Sequence, residues 1–141
     1  MHIVTRTLCA AGFTLLTQGA FAACTAATVK GTWGYLYEGY DPEGVRSCAG
    51  VGLLTFSTAN LSNNTVRISL QRGSCNGAAP DTVNATGTYT VTSTCIGRST
   101  NLDVPGGPIR LDFNVVEAGK RLQFMMVFPN TITLHGEAFR R

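Results

Sequence analysis

From Pro108 to Arg140 the chain alternates. Ile109, Leu111, Phe113 and Val115 are separated by Arg110, Asp112 and Asn114. After Gly119 the pattern returns in Leu122, Phe124, Met126 and Phe128, and beyond Pro129-Asn130 it continues in Ile132 and Leu134. Successive side chains of an extended chain point to opposite faces, so a period of two builds one apolar face and one mixed face. Three such runs, divided by tight-turn residues, read as neighbouring antiparallel strands with one face buried.

The rest of the chain follows the same rule. About eight strands are expected, roughly Thr32–Tyr40, Cys48–Phe56, Thr65–Arg72, Asn84–Cys95, Arg98–Val104, Ile109–Glu117, Arg121–Phe128 and Thr131–Phe139. The breakers between them are rich in Gly, Pro, Asn and Asp, which tolerate turns; Gly73 to Pro80 is the longest low-order candidate. No helical period appears after the leader. Short connections between sequential strands favour an up-and-down meander, and about eight strands can close into a barrel that removes both exposed edges. The fold class expected is all-β: a single antiparallel up-and-down barrel.

The first 22 residues read differently. Met1 to Arg6 is a short basic lead, Thr7 to Leu16 is apolar but too short to span a bilayer, and Ala20-Phe21-Ala22 offers the small residues of a cleavage site. Residues 1–22 are therefore expected to be a signal peptide, with a barrel domain over 23–141. A lipoprotein anchored at Cys24 is the minor alternative, because Phe21-Ala22-Ala23-Cys24 loosely resembles a lipobox. No other stretch is long and apolar enough for a transmembrane helix. The expected destination is secreted or periplasmic.

Export changes the meaning of the cysteines. Cys9 lies in the leader, leaving Cys24, Cys48, Cys75 and Cys95, an even number that reads as two disulfides in an oxidising compartment. Metal binding is the rival, but no C-x-x-C pair exists and His135 is the one histidine after the leader. The expected meander favours one of the three possible pairings. If the first strand runs from one end of the barrel to the other and each successor returns, Cys48 and Cys75 share one end while Cys24 and Cys95 share the opposite end. Disulfides need Cα atoms closer than about 7 Å, so Cys48–Cys75 and Cys24–Cys95 are the expected bonds.

The leader carries Arg6 and no acid, so the formal charge of +3 becomes +2 after cleavage. The basic residues are scattered and charged residues make up only 13%, which gives no concentrated patch for nucleic acid. Phosphate loops, dinucleotide fingerprints and the G-x-S-x-G nucleophile frame are absent. No cofactor, metal or catalytic residue is expected. Asn60, Asn63 and Asn84 head N-x-[ST] sequons, which matter only in a eukaryotic secretory route.

The same map sets Trp33 beside Arg140 and Arg141. Gly31-Thr32-Trp33 resembles the G-x-W signature of lipocalins and the wider calycin barrels, and Val51 to Phe56 and Gly87 to Val91 resemble segments of small exported bacterial proteins of lipocalin-like type. The resemblance implies that Trp33 plugs a closed end with an arginine of the last strand, Arg140, packed across it. It also implies a ligand-binding barrel. The chain departs from lipocalins in being shorter and in having no helix after the last strand, which leaves the size of the interior open.

Several side chains then become candidates. Tyr35, Tyr37, Phe113, Phe124 and Met126 project to the apolar face and would line an aromatic cup for a small apolar or aromatic molecule. The alternative is a filled core, which side chains alone can supply in a barrel of this size. Glu38 and His135 fall on the outward phase and read as surface groups. Asp41, Glu43 and Arg46 are expected in a mouth loop. Met125 and Val127, in phase with Gln123, make an outward apolar strip suited to a protein partner or an oligomer. Three functions therefore compete: a ligand-binding barrel, a non-catalytic binding or inhibitory surface over a packed core, and a cyclase- or isomerase-type calycin enzyme. The last would need an inward carboxylate or histidine, and the phasing supplies none.

Overall fold

The computed structural model describes residues 23–40, 43–58, 64–75, 77, 82–105, 107–127 and 133–141. The expected leader lies outside the described residues, as do Asp41, Asn60, Asn63, Phe128 and Ile132. Nine strands form: β1 Gly31–Tyr40, β2 Arg46–Thr58, β3 Asn64–Cys75, β4 Asn84–Val91, β5 Ile96–Ser99, β6 Leu102–Val104, β7 Gly107–Val116, β8 Arg121–Val127 and β9 Thr133–Arg140. Their order is β5-β4-β3-β2-β1-β9-β8-β7-β6, and β5 also pairs with β7. That second pairing closes the sheet. The result is an antiparallel barrel of eight strands with β6 as an extra short strand continuing β5, as the alternation required.

Alternation sorts the faces. Trp33, Tyr35 and Tyr37 of β1, Leu111, Phe113 and Val115 of β7, and Leu122, Phe124 and Met126 of β8 are all buried. Burying a large apolar side chain contributes about 1.5–3 kcal/mol, so a one-residue slip in any of these strands would turn a set of such groups outward. Register is therefore fixed by the core.

A small barrel also has to bend its strands sharply, and inward glycines covered by aromatic rings do this here. Tyr37 lies opposite Gly50, Phe113 opposite Gly97 and Phe124 opposite Gly136 in the ladders. A Cβ on Gly97 would fall 2.1 Å from the Phe113 ring, and one on Gly136 only 2.0 Å from the Leu36 carbonyl oxygen. The second contact is with backbone, which cannot rotate away.

Three expectations need correction. The single strand expected over Arg98–Val104 is two strands, because Ser99 points inward and its hydroxyl accepts from the Leu111 amide at 2.9 Å. The chain jogs there, and the Thr100 amide donates back to the Thr88 carbonyl at 2.8 Å. The strand expected to run to Cys95 stops at Val91, and Cys95 closes a turn with φ of 67° and its amide on the Thr92 carbonyl. Two short helical turns, α1 Ala26–Val29 and a 3₁₀ turn Glu117–Gly119, leave the expected absence of a helical period unchanged. Neither is long enough to show a period. Finally, β3 extends to Cys75, so Gly73 belongs to a strand and not to a loop.

Candidate ligand-binding cup

The two ends of the barrel are built differently. At one end α1 lies across the opening. The Thr25 amide donates to the Thr28 hydroxyl at 3.0 Å, and the Tyr89 hydroxyl donates to the Ala26 carbonyl at 3.2 Å. The disulfide Cys24–Cys95 ties the residue before this turn to the β4–β5 connection. Trp33 is fully buried beneath it, and its Nε1 donates to the Val29 carbonyl at 2.8 Å. The Arg140 guanidinium stands over the indole with its carbon 4.7 Å from the ring centroid, and also donates to the Thr28 carbonyl. Stacked cation and ring attract, by about 0.5–1 kcal/mol where solvent reaches the pair. Trp33 and Arg140 thus meet, and this end is sealed.

Above Trp33 the interior is solid. Phe56, Tyr89 and Phe113 form a ring cluster, with centroids 5.0 Å apart for Phe56 and Tyr89 and 5.2 Å for Phe56 and Phe113. Leu54, Leu102, Leu111 and Leu122 fill the space around them, each fully buried.

At the opposite end the described side chains do not fill the interior. A cavity of about 120 Å³ remains there. Tyr35 and Tyr37 of β1 form one wall, with Ile68, Leu70 and Cys75 of β3 beside them. Val104 and Pro105 at the end of β6, Met126 of β8 and Leu134 of β9 complete it. Cys75 is bonded to Cys48 across the β2–β3 ladder, so a disulfide sulfur borders the space. Phe124 supports the floor, its ring meeting Tyr35 edge-on at 5.7 Å.

Of the five residues expected in the cup, Tyr35, Tyr37 and Met126 line this cavity. Phe113 and Phe124 are inside the barrel but packed below it, so the cup is shallower than the sequence suggested. Eight lining positions were not among the residues expected in the cup. Ile68 and Leu70 carried a readable inward phase, whereas Pro105 was counted only as a breaker.

The electrostatics are simple. Burial, and then the neighbouring Tyr37, pushes the Tyr35 phenol well above its ordinary range, and burial raises Tyr37 as well. Both hydroxyls are therefore protonated donors at neutral pH. Among the described lining residues there is no charged side chain.

The remaining candidates lie on the outer wall. Met125 is 45% exposed, but its cross-strand neighbours are Asp112 and His135, both polar. Val127 is half-buried opposite Arg110. His135 stacks on Tyr40 with rings 5.6 Å apart, and the Tyr40 hydroxyl donates to Glu38 at 3.0 Å. Arg46 is the first residue of β2 and not a loop residue; its guanidinium reaches Glu38 at 3.2 Å on the outside of the barrel. It does not guard the cup.

No protein-family model matches this chain, and no curated protein matches it. Solved structures do. A redesigned β-barrel aligns with a TM-score of 0.58 at 14% identity, covering 83% of this chain and 95% of that one. A de novo designed fluorescence-activating β-barrel aligns at 0.54 and 17%, covering 82% and 96%. A redesigned β-barrel, mFAP1, bound to DFHBI, aligns at 0.56 and 16%, covering 82% and 98%. At such identities the likeness is one of fold alone: a small closed antiparallel barrel.

Proposed function

We propose that this protein is an exported, lipocalin-like barrel that binds a small apolar or aromatic molecule in the cup at its open end. The observation that carries the reading is the cavity itself, walled by Tyr35, Tyr37 and Met126 above a packed floor. Well-packed cores leave few voids larger than a water molecule. An apolar cavity of ~150 Å³ takes a benzene ring, so about 120 Å³ accommodates one small ring, with any larger part of a ligand emerging past Pro105. The disulfides Cys24–Cys95 and Cys48–Cys75 suit an oxidising extracellular or periplasmic setting, and the apolar segment before Ala22 supplies the route there. The structural neighbour solved with DFHBI supports a barrel of this architecture holding a small ligand.

The test is a titration of the oxidised protein with an apolar fluorescent probe, followed by competition with one-ring hydrocarbons. Saturable 1:1 binding that is weakened in Leu134→Phe, which fills the cup, is the expected result. A folded protein that takes up no probe would reject the reading.

A further inference from the structure

The cup's polar chemistry is confined to two groups. The side chains of Tyr35 and Tyr37 are 4% and 5% exposed, and their rings stand 6.2 Å apart along the same wall. Every other buried tyrosine has its hydroxyl engaged: that of Tyr89 donates to a backbone carbonyl. Neither the Tyr35 nor the Tyr37 hydroxyl has a hydrogen-bond partner among the described residues. Yet neither is wholly enclosed, since among the described residues the one enclosed side-chain atom without a partner is Nε of Arg121 on the outer wall. Both residues line the cavity, and Tyr37 also borders a cleft on the outer wall.

A hydroxyl that keeps some accessibility can be met by water or by an acceptor on a ligand, and a ligand that covers it without an acceptor forfeits that hydrogen bond. Among the described lining residues Tyr35 and Tyr37 supply the only side-chain hydroxyls of an otherwise aliphatic and sulfur-lined cup, and they are donors with no protein acceptor there. We infer that the cup selects a neutral one-ring compound carrying a hydrogen-bond acceptor, an aryl ketone or aldehyde, whose carbonyl oxygen accepts from Tyr35 and Tyr37 while the ring lies against Leu70, Met126 and Leu134. Charge is excluded by the same wall. An ionised carboxylate would enter without a cation to meet it, which costs far more than a neutral carbonyl. The inference rests on the proposed binding function and names the chemistry of that site.

Acetophenone and ethylbenzene separate the two ideas, because they match in shape and differ by the carbonyl. Their affinities for the oxidised protein are measured by calorimetry, together with benzoate at pH 7. The expected result is that exchanging both hydroxyls, in Tyr35→Phe/Tyr37→Phe, lowers the acetophenone-to-ethylbenzene affinity ratio about tenfold, the scale of one net hydrogen bond in a buried site. Ethylbenzene itself should bind the variant at least as well. Benzoate should bind wild type at least ~100-fold more weakly than acetophenone. Equal ratios in wild type and variant would overturn the carbonyl assignment while leaving the cup intact, whereas failure of both neutral compounds to bind would overturn the cup and the assignment together. A readout independent of the variant is the infrared carbonyl band of bound acetophenone in wild type. It should lie below its position in hydrocarbon solvent, and an unshifted band would overturn the assignment.

Discussion

The closed and open ends of this barrel use the same strands and reach opposite outcomes. At the closed end the polar groups around Trp33 are spoken for: Trp33 Nε1 by Val29, the Tyr89 hydroxyl by Ala26, and the Arg140 guanidinium by the indole and Thr28. At the open end Tyr35 and Tyr37 line a void, and their hydroxyls have no hydrogen-bond partner among the described residues. The difference lies in what crosses the opening. A single helical turn, held by a disulfide, supplies the carbonyls that satisfy the closed end. Among the described residues, the open end has only the strand ends, Cys75 and the Val104-Pro105 corner around its rim. We propose that stability resides at the first end and recognition at the second.

That division is broken most directly by removing one large side chain from each end. Trp33→Ala should cost about 3–5 kcal/mol, the range for deleting a fully buried large aromatic. Leu134→Ala at the cup, where a void already borders the side chain, should fall near the lower limit for such changes, about 2 kcal/mol. Denaturant midpoints at constant m-value report both. Equal losses would mean that the two ends are equally packed.

The disulfides sharpen the same contrast. Cys24 and Cys95 are separated by 71 residues and Cys48 and Cys75 by 27. Loop-closure entropy then favours the longer loop by only about 0.8 kcal/mol, with typical contributions of ~2–4 kcal/mol each. Stability alone should hardly distinguish the pairs. Ligand affinity should: Cys48→Ala/Cys75→Ala loosens a wall of the cup and weakens probe binding, while Cys24→Ala/Cys95→Ala lowers the melting temperature and leaves the affinity of the folded protein unchanged. Equal losses of affinity would show that the ends are coupled.

The phase of each side chain was legible in the sequence, and its depth was not. Period two states that Phe113, Phe124 and Met126 point inward. Whether a residue reaches the cup or the floor depends on strand tilt and stagger, which link strands distant in sequence. The Phe113 ring packs against Phe56 and Tyr89, and the Phe124 ring meets Tyr35 edge-on, so both sit below the mouth. Disulfide pairing was legible because it needed only the end of the barrel at which each cysteine falls. The break at Ser99 was not, since one inward hydroxyl replacing a strand partner leaves no compositional mark.

Alkaline pH sets the two ends apart again. Burial raises the phenols of Tyr35 and Tyr89 alike, with Tyr37 adding to the effect at Tyr35. A group whose folded pKa is raised contributes stability fully present below the unfolded value, 10.0 for tyrosine, and lost as pH rises toward the folded value. The protein should therefore lose stability above about pH 10. Tyr35→Phe should flatten that decline, as measured by denaturation midpoints, and should delete the latest-ionising phenol from the ultraviolet titration. An unchanged titration would show that Tyr35 is not the most deeply shifted phenol.

The smallest effect belongs to the seam where the barrel closes. Arg98 of β5 faces Asp112 of β7 in register, and its Nε donates to the carboxylate at 2.8 Å. Arg110 approaches the same carboxylate at 3.1 Å. Burial works to raise the Asp112 pKa, but the hydrogen bonds and charges of the two arginines outweigh it and hold the carboxyl below its ordinary value of 3.8. A depressed carboxyl contributes stability above that value, lost as pH falls through the lowered folded value. Both guanidiniums are solvent-exposed, and exposed pairs contribute little. Asp112→Asn should thus cost less than about 1 kcal/mol at neutral pH and nothing once the wild-type carboxyl is protonated. Adding salt should shrink the difference further, because exposed charges are screened within about 10 Å at 0.1 M. A larger, salt-insensitive loss would mean that the seam depends on this carboxylate, and that closing the sheet rests on charge as well as on the rings of Phe113 and Phe56 beneath it.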